Sequence, residues 1–344
     1  MGVRHAMIRP VFVVAAILMV ALIVIPTSVV YFLPKEKVAE QPSKVTLASE
    51  VEKVQENEPT IEVPVYRTGS KKIEKIPLEH YVRGVIASEM PSDFELEALK
   101  AQAMAARTYI VRRLVEKDFT DTPKGSIVTD TVKHQVFRSE EELRQQWGLE
   151  YDRKISKINQ AVNETMGQVL TYEGRPINAT FFSTSNGYTE NSEDYWGTVL
   201  PYLRSVESPW DVESPRFKEQ IVMSLPEFEK KLGVKLAVPT ITGESFNKMI
   251  TQTVGKRVKE IKIGEKNFSG KEIRELLGLS SSDFTWKVKN GKVYIDTVGW
   301  GHGVGMSQWG ANGMAKEGKT AQDIVHHYYH GIKIEDYRQW IVKK

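Results

Sequence analysis

VIASEMPSDFELEALKAQAMAARTYIVRR, residues 85 to 113, is the stretch that organises the chain. One carboxylate, Glu89, stands among the small and apolar residues Ile86, Ala87, Met90 and Pro91. Pro91 has no N–H and restricts Met90, so a helix arriving from Tyr81, Val82, Val85 and Ile86 must stop there. The pattern Ser92-x-x-Glu95 reads as a capping box that starts the next helix. On that helix Leu96, Leu99, Ala103, Ala106 and Ile110 share one face, and Lys100 and Arg107, seven apart, share a stripe at its edge. Glu89 is thus expected at a rigid joint between two helices. A carboxyl in poorly solvated surroundings has its pKa raised, which suits a general acid. The plainer reading is a charged residue at a helix end, and these residues alone favour it.

Working outward, strands are expected around Ile61, Val63 and Val65 and over Ile73 to Ile76, with a turn at Thr68-Gly69-Ser70. A second hairpin is expected around Glu173-Gly174, followed by strong turn chemistry in Ser183-Thr184-Ser185-Asn186-Gly187. Tyr188, Tyr195, Trp196, Tyr202 and Trp210 form an aromatic cluster in sequence. Residues 213–290 are less distinctive and read as a subdomain. In VGWGHGVGMSQWGANG, residues 298–313, glycines at 299, 301, 303 and 305 alternate with other residues and allow close backbone approach to a ligand. His302, Ser307 and Gln308 offer hydrogen bonds there, with Ser307 placed to cap the helix that follows. A last helix is expected from Thr320 to His330 with Gly331 as its cap.

The N-terminus differs in kind. Residues 11–33 are almost wholly apolar and uncharged, long enough to span a bilayer, which needs roughly 20 residues. The run exceeds the apolar core of a signal peptide and ends in Tyr31, Phe32 and Leu33, so an uncleaved anchor is expected. Arg4 and Arg9 before it place the N-terminus in the cytoplasm and the remainder outside. Residues 35–60 read as a polar stalk. The division expected is therefore an anchor in 1–34, a stalk in 35–60, an α+β ectodomain in 61–335 and a tail in 336–344. Net charge is +3, with no electrostatic footprint for nucleic acid. Cysteine is absent, which excludes disulfides and a thiolate metal site.

Three chemistries compete. His326 and His330, four apart, could join His302 on a metal, but the glutamate of a metalloprotease motif is missing. Ser185 or Ser307 with His302 could form a nucleophilic pair, but no G-x-S-x-G elbow is present. Glycosidic cleavage would use Glu89 as acid; a second carboxylate is ordinarily required, and Glu190, Glu193, Asp194 and Asp211 are candidates that context does not separate. One acid suffices where the substrate supplies the nucleophile.

Taken together, Ser88-Glu89-Met90-Pro91 with EALKAQAMAARTY (97–109), STSNGYTENSEDYWG (183–197), PYLRSVESPWD (201–211), GWGHGVGMSQWGA (299–311) and HHYYHGI (326–332) resemble the stage II sporulation protein D family. The resemblance covers about residues 60–335. It implies a membrane-anchored lytic transglycosylase acting in forespore engulfment. Such an enzyme cuts peptidoglycan glycan strands, stripped of stem peptides, between N-acetylmuramic acid and N-acetylglucosamine. Glu89 is the catalytic residue so implied. Lys100, Arg107, Ser185, Tyr188, His302 and Gln308 are implied in the substrate groove, although Arg107 also suits a buried structural role. Partnership with stage II sporulation proteins P and M is implied as well. The zinc site of some members uses cysteines, so none is carried over, and no metal or cofactor is expected. The competing expectations are a non-catalytic wall-binding activator of a partner amidase and a two-carboxylate hydrolase.

Overall fold

The computed structural model describes residues 61–236 and 247–341. The apolar run 11–33 and the stalk 35–60 lie outside the described residues; among these no helix is long and apolar enough to cross a membrane.

The architecture is α+β. A hairpin opens it, β1 (Glu62–Arg67) against β2 (Lys72–Pro77), with Val63 opposite Ile76 and Val65 opposite Glu74. Helix α1 (Leu78–Glu89) follows directly. Met90 closes it in extended backbone (φ −123, ψ 140), the conformation a following proline imposes. Helix α2 (Leu96–Glu116) is the axis of the fold, and here the sequence reading needs correction twice. First, Ser92 caps nothing. The helix starts at Leu96, and the Glu95 N–H is taken instead by Asn312 Oδ1 at 2.8 Å. Second, α2 does not bury one face only. Ala98, Ala101, Ala103, Ala105 and Ala106 let helices and strands approach from several sides, so burial runs round the helix, as in any core helix.

Strand β3 (Val128–Thr129) runs parallel beside β1. Helices α3 (Glu140–Trp147), opened by a Ser139/Glu142 capping box, and α4 (Tyr151–Glu164) come next. Strands β4 (Gln168–Tyr172) and β5 (Arg175–Pro176) form the expected hairpin; Glu173 and Gly174 both take positive φ (50 and 74), the geometry of a tight type I′ turn. Strand β6 (Phe181–Phe182) precedes the short helix α5 (Ser192–Trp196).

The less distinctive middle of the chain is a subdomain with its own core. It comprises β7 (Lys218–Ser224), α6 (Leu225–Leu232), β8 (Asn247–Gln252), β9 (Val258–Ile263), β10 (Lys266–Ser269), α7 (Gly270–Leu277), β11 (Phe284–Lys289) and β12 (Lys292–Val298). Two antiparallel sheets, ordered β11-β12-β7 and β10-β9-β8, enclose Phe228, Ile261, Ile273, Phe284, Val293 and Ile295. Its elements thus run to Val298, past the expected limit at 290.

The chain then rejoins the main core. Strand β13 (Met306–Ser307) pairs in parallel with β6, and α8 (Gln308–Lys316) begins at once, capped by Ser307 as expected. Helix α9 (Ala321–Tyr328) stops before His330, because Tyr329 is extended and its buried ring leaves the helix to reach Thr180. Beyond it, β14 (Lys333–Asp336) extends the β4–β5 sheet. In α10 (Arg338–Ile341) Trp340 packs on the core and donates to the Gly174 carbonyl at 3.3 Å. The expected tail is structured at least to that point.

Candidate active site

Glu89 ends α1, partly buried, beside the loop that joins β3 to α3. That loop folds back so that the Val136 N–H donates to Glu89 Oε1 at 2.7 Å. Gln135 accepts from the Tyr81 hydroxyl at 3.2 Å, and Phe137 stacks on the Tyr81 ring at 5.3 Å. Gly84 makes this approach feasible: a Cβ there would lie 2.4 Å from the Phe137 ring. Burial raises the Glu89 carboxyl above its ordinary value, while the Val136 hydrogen bond and Arg138 pull the other way. Its place at a helix C-terminus, the negative end of the dipole, also favours the protonated form. Oε2 has no hydrogen-bond partner among the described residues. Among the described residues the charged group acting on Glu89 is Arg138, and no carboxylate does so.

The four acids that sequence left open as a second carboxylate all have partners. Glu190, buried, pairs with Arg257 at 3.1 Å; Glu193 pairs with Arg204 and Asp194 with Lys259. Asp211 is fully buried within a polar network. Its Oδ1 accepts from the Ser185 N–H at 2.6 Å and from the Ser307 hydroxyl; its Oδ2 accepts from Ser208 Oγ at 2.6 Å. Ser208 Oγ in turn lies 2.7 Å from the Tyr328 hydroxyl. Burial pushes the Asp211 carboxyl up, and these hydrogen bonds oppose it. This network joins four of the sequence motifs in the core. Ser185 and Ser307 are consumed by it and are not placed as nucleophiles.

The other implied groove residues are dispersed. Arg107 is fully buried and grips Glu79 through Nε (2.9 Å) and Nη2 (2.7 Å), with the Gln168 carbonyl on Nη1. It faces the core, as its alternative reading allowed. Lys100 pairs with Glu97 at 2.6 Å and with Glu164, at a polar cleft of about 560 Å³ also lined by Glu335 and Asp336. Gln308 is buried, its amide 3.5 Å from Gln102 on α2. Tyr188 is partly exposed, with Lys256 Nζ 5.9 Å from its ring centre. His302 lies against Phe182, Tyr195 and Trp196, ring centres 5.4–5.8 Å away, and its Nδ1 accepts from the Val304 N–H at 3.1 Å. None of the six hydrogen-bonds to Glu89 or acts on its charge. Among the described residues no three metal-ligating side chains are gathered to hold an ion.

Burial, with Arg274 and Arg257 nearby, pushes the His302 pKa down to about 3. The unfolded chain therefore binds this proton more readily than the folded one. His302 contributes stability that is complete above about pH 6.5 and is lost as pH falls toward 3. In His302→Asn, thermal midpoints measured from pH 7 to 4 should fall less steeply than in wild type. An identical slope would mean that the ring titrates normally.

Comparison with known proteins shows the family. The SpoIID model of the family described as Stage II sporulation protein matches residues 66–172. Stage II sporulation protein D of Bacillus subtilis (strain 168) is 53% identical over 280 residues, covering 80% of this chain and 79% of that protein. Stage II sporulation protein D of Bacillus amyloliquefaciens is 46% identical over 343 residues, covering 97% and 98%. This chain belongs to the stage II sporulation protein D family. The amidase enhancer of Bacillus subtilis (strain 168) is a more distant relative, 29% identical over 312 residues, covering 74% of this chain and 40% of that protein. The segment matched by the family model contains Glu89, Lys100, Arg107 and the whole loop over Glu89. Sequence reasoning missed that loop. Its nearest signal was Ser139-x-x-Glu142, which marks where the loop must end.

Proposed function

We propose that this family member is a lytic transglycosylase that cuts the bond between N-acetylmuramic acid and N-acetylglucosamine in glycan strands lacking stem peptides. The observation that carries this reading is Glu89: one partly buried acid with a raised pKa and, among the described residues, no second carboxylate acting on it. A protonated Glu89 gives its proton to the glycosidic oxygen as the bond to C1 breaks. The carboxylate then takes the proton of the muramic acid 6-hydroxyl as O6 bonds to C1. Glu89 ends protonated as it began, no water is consumed, and the product carries a 1,6-anhydro end. Because the substrate supplies the nucleophile, a second enzymic carboxylate is unnecessary. Oε2, without a hydrogen-bond partner among the described residues, is the oxygen left to exchange the proton.

The wider setting belongs to the same proposal. Residues 11–33 anchor the chain with the catalytic part outside, and the protein acts in engulfment beside stage II sporulation proteins P and M. Tyr188, partly exposed beside Lys256, and His302, among Phe182, Tyr195 and Trp196, are the sugar contacts this reading would use. A second reading draws on the amidase enhancer relative: a non-catalytic wall binder that stimulates an amidase.

The test is to incubate the detergent-solubilised full chain with purified glycan strands lacking stem peptides and to weigh the products by mass spectrometry. Anhydro-muramyl ends are expected. Reducing ends would replace the proposal with a hydrolase, and intact strands with the amidase-stimulating binder.

A further inference from the structure

The loop over Glu89 is held at its far end by a side chain that the mechanism does not use. His134 lies two residues before Val136, its side chain 1% exposed. Its Nδ1 faces the Thr129 N–H at 3.2 Å and the Thr129 hydroxyl at 2.8 Å. A nitrogen facing an N–H must itself be bare, so the ring proton sits on Nε2 and is donated to Asp121 Oδ2 at 3.1 Å. Asp121 is in turn gripped by Arg113 Nη2 at 2.6 Å, which, with His134, pulls its carboxyl down to about 2 and keeps it ionised. Lys133 Nζ donates to the Asp121 carbonyl. The groups facing His134 are thus Asp121, Arg113 and Lys133, with the hydroxyls of Thr129 and Thr131.

Every ring nitrogen is satisfied only in this neutral tautomer. Protonation would set a new N–H against the Thr129 N–H. Burial and the cations Arg113 and Lys133 likewise disfavour the charged ring, against the pull of Asp121. Meanwhile the loop tip is not held by packing, since Val132 is 89% exposed. From the His134 clamp at one end and the Tyr81 contacts at the other, the chain has little freedom to move the Val136 N–H.

We infer that His134 is a positioning residue: clamped between Asp121 and Thr129, it fixes the loop that delivers the Val136 N–H to Glu89 Oε1, keeps water from the carboxyl and leaves Oε2 aimed at the scissile bond. This rests on Glu89 being the acid. The loop lies on Glu89 through the Val136 N–H, so freeing it breaks that hydrogen bond and removes the part of the burial that the loop supplies. Burial is the larger of the two. The carboxyl then returns downward, toward its ordinary value of 4.5.

The test uses the full chain in detergent with ¹³C-labelled glutamate, the Glu89 carboxyl being assigned by its loss in Glu89→Gln. In His134→Ala the Glu89 titration midpoint should fall. The alkaline limb of the rate profile should move to lower pH with it. The kcat at neutral pH should drop about ten- to a hundredfold with KM little changed, the scale of a mis-set catalytic group. An unmoved midpoint in a folded His134→Ala overturns the inference, whatever happens to activity. A midpoint that moves while wild type cleaves no strand upholds the clamp and removes the transglycosylase reading instead. If His134→Ala does not fold, His134→Asn serves. Its side-chain oxygen can replace Nδ1 toward Thr129 but cannot reach Asp121, so a smaller fall is expected and no fall again overturns the inference.

Discussion

Glu89→Gln should lower the release of anhydro ends by about 10²–10⁴-fold, the usual contribution of a positioned proton donor, without unfolding the protein. The amide oxygen can still accept from Val136, whose bond to Glu89 Oε1 is 2.7 Å, so the loop stays in place. What disappears is the transferable proton. Stability should move the other way. Glu89 has its folded pKa raised above the ordinary 4.5, so its favourable contribution is complete below that value and is lost as pH rises through the folded pKa. Glutamine carries no such penalty. Glu89→Gln should therefore melt at or above the wild-type temperature at pH 7, and the two should converge below about pH 4.5. Thermal melts at both pH values, beside product release, check this. Full activity would remove Glu89 from the chemistry, and a variant that melts early would make it structural.

That residue was legible because the constraints on it are local. Pro91 fixes where α1 stops, and the small and apolar residues around Glu89 foretold the burial. The Glu173-Gly174 hairpin and the Ser307 cap were legible for the same reason: a turn or a cap is decided within a few residues. Contacts across the chain were not. The Val136 N–H reaches Glu89 over 47 residues, and nothing in the periodicity of the loop announces it. Ser92-x-x-Glu95 is a sound local box, yet Asn312 takes the Glu95 N–H from 217 residues away and shifts the helix start. Lys100 and Arg107 lie on one stripe of α2. Because alanines bring neighbours in all round that helix, the same stripe meets an open cleft at Lys100 and the closed core at Arg107. Motif membership identified Ser185, Ser307 and Asp211 as worth watching, but only the fold shows that they bind one another.

The largest stability loss should come from a residue that no motif singled out. Arg257 lies between β8 and β9 of the subdomain, and both it and Glu190 have side chains only 2% exposed. Besides Glu190 Oε1 at 3.1 Å, the guanidinium reaches the carbonyls of Tyr188 (3.2 Å) and Gly255 (3.4 Å). Two glycines make room for the pair. A Cβ on Gly303 would lie 2.5 Å from the guanidinium carbon, and one on Gly255 2.2 Å from Glu190 Oε1. Arg257→Met nearly preserves volume but strands the Glu190 carboxylate, leaving only Thr253 Oγ1 at 2.6 Å to bond it. Breaking one side of a buried pair costs about 3–5 kcal/mol, so denaturant unfolding at pH 7 should show a loss of that order. Burial already raises the Glu190 carboxyl against the pull of Arg257, and without that cation it rises further. A raised folded pKa means stability regained on acidification, so the gap between variant and wild type should narrow from pH 7 toward 5. Adding Glu190→Gln should restore much of the loss, because the stranded charge, not the missing arginine, causes it. The pair also fastens the subdomain to the segment that carries Tyr188. Arg257→Met should split one cooperative unfolding transition into two, the subdomain releasing first; a single transition shifted by the full amount would place the fastening in the other polar links across the seam, Asn186 to Asp283 and Arg274 to the Tyr195 hydroxyl.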